Sequence, residues 1–93
     1  MADVISVHSA SALIHAGKGQ LHGVVITCSS ATAALATFYD HDEASGTKLL
    51  EVYVSSTKPV TIFFSNRFAP MFLIGLYIAL AANLTATVWT RQL

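Results

Sequence analysis

Four histidines are the residues of this chain best able to bind a metal ion, and their spacing decides whether they could act together. They are His8, His15, His22 and His41. A zinc site needs three or four ligands, each oriented by further hydrogen bonds. Only His15 and His22 are expected to face each other, across a hairpin with Lys18 at its tip between Gly17 and Gly19. The sequence therefore predicts no metal site, and histidines that are solvated or hydrogen-bonded.

The acidic segment around His41 is the second candidate for chemistry. Asp40, Asp42 and Glu43 could bind calcium or act as general acids and bases. A calcium loop of the EF-hand type needs oxygen ligands at alternate positions, and this series stops at Ala44. No Gly-x-Ser-x-Gly elbow is present in the sequence either. The prediction is an exposed acidic loop over 40–47, with no catalytic residue, no cofactor and no enzyme activity.

The composition limits the partners of the chain. Of its 93 residues, 54% are hydrophobic and only 11% are charged, against roughly 25% charged in a typical soluble domain. Five basic and five acidic residues cancel, which argues against nucleic acid as a partner. Because so few charges cannot coat a lone monomer, we expect a homo-oligomer or a larger assembly that covers apolar surface.

Two further features bear on the cellular compartment. The N-terminus carries Asp3 where a secretory signal would carry positive charge, which predicts a mature cytoplasmic start. Cys28 is the single cysteine, so an internal disulfide is excluded and a small buried apolar residue is expected.

Alternating apolar and polar residues predict strands along most of the chain. The runs cover 4–8, 21–28, 33–39, 49–54, 60–64 and 84–89. They predict an all-β fold, a small antiparallel β-sandwich or barrel of about six to eight short strands joined by hairpins. Residues 21–93 are expected to form the sandwich and 1–20 an N-terminal strand or docking arm of the same globular domain. The registers predict a shared core of Ile26, Phe38, Val52, Ile62, Leu76 and Val88.

An uncharged stretch from Phe68 to Thr90 supports two interpretations. About 20 apolar residues suffice for a membrane helix, which would make the chain a single-span membrane protein with 68–90 in the bilayer. Strands are favoured because Pro70 and Gly75 interrupt the stretch and Ala81–Asn83 resembles a turn. The first half, from Phe72 to Leu80, is apolar at almost every position and fits either a buried strand or a membrane helix.

Several large apolar side chains fall in the register opposite the core. They are Phe63, Leu73, Tyr53, Tyr77 and Trp89. Outward aromatic residues are typical of interfaces between proteins and also of sugar-binding platforms. A second packed face within the same domain would give the same pattern. These five residues are the candidate interface.

Short motifs from Leu21 onward resemble those of small all-β virion proteins of tailed bacteriophages, the kind that decorate or cement capsids or form head fibres. The motifs are Leu21-His22-Gly23, Tyr39-Asp40, Ser45-Gly46-Thr47, Gly75-Leu76-Tyr77 and the alternating strand that ends in Val88-Trp89. The resemblance covers most of the chain after residue 20 and rests on structural rather than catalytic motifs.

That resemblance implies a role in the virus particle. The leading hypothesis is a capsid decoration, or cement, protein: a non-enzymatic homotrimer made in the host cytoplasm that binds the major capsid protein lattice on the phage head. Residues 1–20 would then be a strand or a capsid-docking arm. The alternative is a fibre or tail module that binds host-surface glycans. Neither nucleic acid nor, in these two hypotheses, a membrane is a partner.

Overall fold

The computed structural model describes residues 4–65 and 69–92, and these residues form strands and no helix. Nine strands are present in this part of the chain: β1 Val4–His8, β2 Ala12–Ala16, β3 Gly19–Cys28, β4 Ala34–Asp40, β5 Thr47–Val54, β6 Val60–Phe63, β7 Met71–Phe72, β8 Gly75–Leu80 and β9 Leu84–Gln92. The predicted all-β class is confirmed.

Two antiparallel sheets pack on each other. Sheet A has the order β1-β9-β3-β6, with β7 also pairing with β3, and sheet B has the order β2-β8-β4-β5. Among the described strands only β4 and β5 pair as sequence neighbours. The predicted series of hairpins is therefore wrong, because most connections carry the chain from one sheet to the other.

The alternation of buried residues matches the predicted registers. Val24 and Ile26 of β3 meet Ala36 and Phe38 of β4 in a core drawn from both sheets, and all four are fully buried. Four of the six predicted core residues are completely buried: Ile26, Phe38, Leu76 and Val88. The other two, Val52 and Ile62, are partly buried and pack against the same cluster. Cys28 is a free, buried thiol, as predicted.

The apolar run from Phe72 to Leu80 is divided between the two sheets. Strand β7 pairs with β3 in sheet A, the chain bends at Leu73 and Ile74, and β8 continues in sheet B. Ile74 occupies alternate positions with the buried Phe72 and Leu76, yet it lies in the bend and is 56% exposed. The extra break is one reason why the strands exceed the predicted six to eight.

The turn predicted at Ala81–Asn83 is present and joins β8 to β9 across the sheets. Asn83 has a φ of 70°, a left-handed conformation that asparagine tolerates better than most residues. The described residues of the stretch from Phe68 to Thr90 thus form strands, and the helical interpretation of this stretch is wrong. Within the described chain there is no helix with the length and apolar character to span a membrane.

The segment before Leu21 contributes to both sheets. Strand β1 pairs with β9 in sheet A and β2 pairs with β8 in sheet B. The predicted hairpin around Lys18 is wrong, because β2 and β3 belong to different sheets and the turn between them crosses the sandwich. Its Gly17 N–H donates to the carbonyl of Ile74 at 3.0 Å, which ties this turn to the bend between β7 and β8.

Candidate interaction surfaces

The outer face of sheet A is a continuous surface of uncharged side chains. Residues that pair across antiparallel strands point to the same side of the sheet. Two rows of four residues therefore cross the sheet from β1 through β9 and β3 to β6: Ile5, Trp89, Gly23 and Phe63 in one, and Val7, Thr87, Val25 and Thr61 in the other. We call these eight residues the uncharged face. Along β9, the next outward position beyond Trp89 is Arg91, which borders this surface.

Two aromatic rings of the first row, Phe63 and Trp89, contact each other over Gly23. Phe63 and Trp89 lie on strands that flank β3, yet their ring centroids are 5.0 Å apart at an interplanar angle of 62°. A Cβ atom on Gly23 would lie 2.3 Å from Cδ1 of Phe63. Glycine at this position therefore leaves the space in which Phe63 lies over the central strand and reaches Trp89.

Three members of the uncharged face are unusually exposed for their type. Ile5, Val7 and Phe63 expose 59%, 66% and 59% of their surface. The remaining side chains supply threonine hydroxyls and the half-buried Trp89. Such a surface can exclude water against an apolar partner.

The outer face of sheet B carries the other two predicted aromatics. Tyr77 pairs with Leu13 on one side and with Tyr39 on the other, and Tyr53 pairs with Leu35 and is 69% exposed. The five candidate interface residues thus lie in three places. Phe63 and Trp89 are in contact on sheet A, Tyr53 and Tyr77 are on sheet B, and Leu73 is in the bend between the sheets.

Charged residues border the face of sheet B at its β5 edge. Lys48 donates to Oε2 of Glu51 at 3.0 Å, and the hydroxyl of Thr37 donates to the same oxygen at 3.4 Å. The hydrogen bond and charge of Glu51 raise the pKa of Lys48, which keeps the ammonium charged. The two faces of the sandwich therefore differ in polarity.

Asp40 fixes the bend that presents Leu73. One carboxylate oxygen accepts the backbone N–H groups of Leu73 and Ile74 at 3.0 and 2.9 Å, and the Gly75 N–H lies 3.4 Å from it. Partial burial raises the pKa of Asp40, but these three hydrogen bonds and the nearby His41 outweigh it and lower the pKa below its ordinary value of 3.8. Asp40 was predicted to lie in the exposed loop; it ends β4 instead, and the loop begins after it.

The histidines do not meet. His8 bonds to the hydroxyl of Ser6 at 3.0 Å and His22 to the amide oxygen of Gln20 at 3.2 Å. The ring of His15 packs edge-on against Phe72 at 5.3 Å. His15 and His22 do not face each other across a hairpin as expected, because β2 and β3 belong to different sheets.

One group of possible metal ligands is present among the described residues. The ligand atoms of His41, Asp42 and Glu43 lie within 4.8 Å of one another. His41 Nδ1 is 2.7 Å from Asp42 Oδ1, an ion pair when the imidazole is protonated. Both acids are exposed, as expected for an acidic turn. Across the described ranges the surface has no pocket.

Sequence reasoning missed Ile5, Val7 and Gly23 as members of a candidate surface. The alternation of β1 does separate Ile5 and Val7 from their neighbours. The alternation does not indicate which strand pairs with β1, because that strand, β9, lies some 80 positions away in the chain. The role of Gly23 depends on two neighbouring strands and leaves no local signal.

Comparisons with known protein families, curated proteins and solved structures find no match to this chain. No family is therefore shown for this chain, and the surfaces described above are the structural basis for proposing a function.

Proposed function

We propose that this chain is a non-enzymatic structural protein of a tailed-phage virion, a decoration protein that binds and reinforces the capsid as a homo-oligomer. The observation that carries the proposal is the uncharged face, on which Ile5, Val7 and Phe63 are each more than half exposed. Apolar patches of this kind mark surfaces that are covered by a partner. The resemblance of short motifs in the sequence to those of virion proteins supports a capsid as that partner.

The geometry of the uncharged face suits attachment to another protein. It is built on four paired strands, so its backbone is held in place before a partner arrives, and preorganisation lowers the cost of binding. The contact between Phe63 and Trp89 supplies a paired aromatic anchor near its centre, the residue type that contributes most to protein interfaces.

A repeating capsid lattice makes modest contacts sufficient. Each copy that binds both the major capsid protein and another copy of itself gains from the raised effective concentration of linked contacts. Threefold points of a lattice would accommodate a trimer, and closed symmetry covers apolar surface. In this proposal the protein is made in the host cytoplasm and ends in the virion, with no nucleic acid or membrane as partner.

The copy number in the particle tests the proposal. Virions of the phage or prophage whose genome encodes this chain would be purified, and the ratio of the chain to the major capsid protein measured by quantitative mass spectrometry. Hundreds of copies per particle are expected of a decoration protein. Absence from purified particles would overturn the proposal.

The fibre or tail alternative is favoured by one observation, the tyrosines on sheet B. Tyr39 and Tyr77 pair across β4 and β8, and Tyr53 is well exposed near the polar Lys48–Glu51 pair. Aromatic rings beside hydrogen-bonding groups suit a sugar platform. A handful of copies per particle, together with binding of the purified chain to host-surface glycans that Tyr53→Ala abolishes, would establish this alternative instead.

A further inference from the structure

The four edges of the two sheets are not equally protected. Exposed strand edges invite pairing with another chain, and proteins block them with charges, prolines or bulges. Edge strand β2 has an irregular register between Leu13 and His15. Edge strand β5 carries Lys48 and Glu51, and Lys58 and Pro59 directly precede β6. Strands β2 and β5 thus bear such a device themselves, and β6 has one directly before it.

Strand β1 has none of them within its own five residues; Asp3 directly precedes it in the sequence. Val4–His8 contains no proline and no aspartate, glutamate, lysine or arginine. Five consecutive residues pair with β9 from Val4 to His8 without a register shift. Among the described residues no strand pairs with the other edge of β1. Alternate backbone N–H and C=O groups along this edge are therefore available to a further strand.

We propose that β1 pairs antiparallel with β1 of a second copy of this chain, centred on Ser6. This register places Ile5 opposite the partner's Val7 and Val7 opposite the partner's Ile5, so apolar side chains meet on the outer face. In this register even-numbered residues pair with even-numbered residues, and odd-numbered with odd-numbered. The backbone hydrogen bonds between the two copies can therefore form whichever set directs its N–H and C=O groups away from β9. The strand is thus complementary to itself, which is why a second copy is the occupant we choose.

Pairing of this kind would join two uncharged faces into one. Sheet A has five strands, so the pair would form one continuous ten-stranded sheet across the two-fold axis. The rows that begin at Ile5 and Val7 would run through both subunits. The inference rests on the self-association in the proposed function and specifies its geometry. Because the contact is two-fold, it gives a dimer if it acts alone, or pairs of trimers if a threefold contact acts as well.

Two double variants test the register. Ile5→Lys with Val7→Lys would place like charges opposite each other in both cross-strand pairs and should weaken self-association at least about tenfold. Ile5→Lys with Val7→Glu removes the same apolar side chains and adds the same number of charges, but it places a lysine opposite a glutamate twice. It should recover most of the parent's association. Both replaced side chains are more than half exposed, and denaturant unfolding of each variant would verify the fold.

Sedimentation equilibrium over a concentration series would measure the association of the parent and of both variants. An even-numbered parent assembly, weakened in the first variant and restored in the second, is the expected result. A parent that is monomeric or only trimeric, or two variants that behave alike, would overturn the pairing. If the parent is monomeric and the first variant fails to bind capsids, a capsid strand occupies the edge instead. Capsid binding that survives in the first variant leaves the decoration role intact.

Cross-linking gives an independent readout. In a Cys28→Ala background, Ser6→Cys places one thiol on each side of the two-fold axis, with paired Cα atoms about 4.5–5.5 Å apart. A short bismaleimide should then link two chains. Ser45→Cys, in the exposed loop after β4, is the matched control and should remain single. Equal linking of both variants would count against the proposed contact.

Discussion

Phe63 and Trp89 contact each other across a strand that separates them, with ring centroids 5.0 Å apart over Gly23. Neither aromatic residue is adjacent to the other in the sheet, since β6 and β9 both pair with β3. The glycine in the central strand therefore determines the shape of the uncharged face. A side chain at position 23 would separate the rings and open a gap in the first row.

Substitution of Gly23 tests this arrangement. Gly23→Ala should cost about 0.5–1.5 kcal/mol through loss of the aromatic pair, because its Cβ would lie 2.3 Å from the Phe63 ring. In a Phe63→Ala background the same change should be neutral or stabilising, since alanine suits a strand better than glycine. Urea unfolding of the four proteins gives the coupling energy. Trp89 is the only tryptophan, so its emission should shift to longer wavelength when Phe63 moves away; additive costs would refute the coupling.

Asp40 should make the stability of the fold sensitive to acid. Its pKa is lowered in the folded state below the ordinary 3.8, so its contribution is complete above that value and is lost as the pH falls through the lower, folded pKa. Asp40→Asn should lower the free energy of unfolding at pH 7 by about 1.5–3 kcal/mol, the scale of hydrogen bonds to a charged group. The difference from the parent should shrink below about pH 4.

Glu43→Gln is the matched control for this measurement. Glu43 is an exposed acid that accepts from Ser45 within the same loop, and its neutralisation should change the unfolding free energy by no more than about 0.5 kcal/mol. Unfolding curves at several pH values would compare the two variants with the parent. A gap for Asp40→Asn that stays constant down to pH 2 would mean that the carboxylate charge does not stabilise the bend.

The local alternation of residues was enough to predict most of the strands and their buried faces, but neither β2 nor the division between β7 and β8. Val24, Ile26 and Phe38 show why: a strand with one face in the core needs an apolar residue at every second position, whatever strand lies beside it. The same rule does not indicate the bend at Leu73 and Ile74, because apolar residues continue through it. The bend depends on Asp40, a residue 34 positions earlier whose carboxylate holds the Ile74 N–H.

The arrangement of the strands could not be predicted in the same way. Turn residues at Gly17 and Gly19 are compatible with a hairpin and with a crossing between sheets, and the structure has the crossing. The five residues of the candidate interface do not form one surface for the same reason. Outward register was assigned to Tyr77 and Trp89 alike, but which sheet carries each of them depends on pairings between distant segments.

The packing of the core should dominate stability. Phe38 is completely buried between the sheets, and Phe38→Ala should cost about 3–5 kcal/mol through lost transfer energy and the cavity left behind. Leu73→Ala is a suitable contrast, because Leu73 is 60% exposed and its truncation should cost no more than about 0.5 kcal/mol. The midpoints of urea unfolding would compare them. Similar midpoints for both variants would contradict the two-sheet core.

Serine substitutions on opposite faces should separate the surfaces that bind a partner. Trp89→Ser removes the anchor of the uncharged face and should weaken binding to capsid shells by about 2 kcal/mol or more, the scale of an interface hot spot. Tyr77→Ser changes the outer face of sheet B, whose edge is charged, and should leave capsid binding within about twofold of the parent. Far-ultraviolet circular dichroism would verify that both variants keep their strands. Co-sedimentation with purified phage heads measures the binding directly. Loss of binding in Tyr77→Ser alone would mean that the partner binds sheet B, and it would favour recognition of glycans by the tyrosines of that sheet.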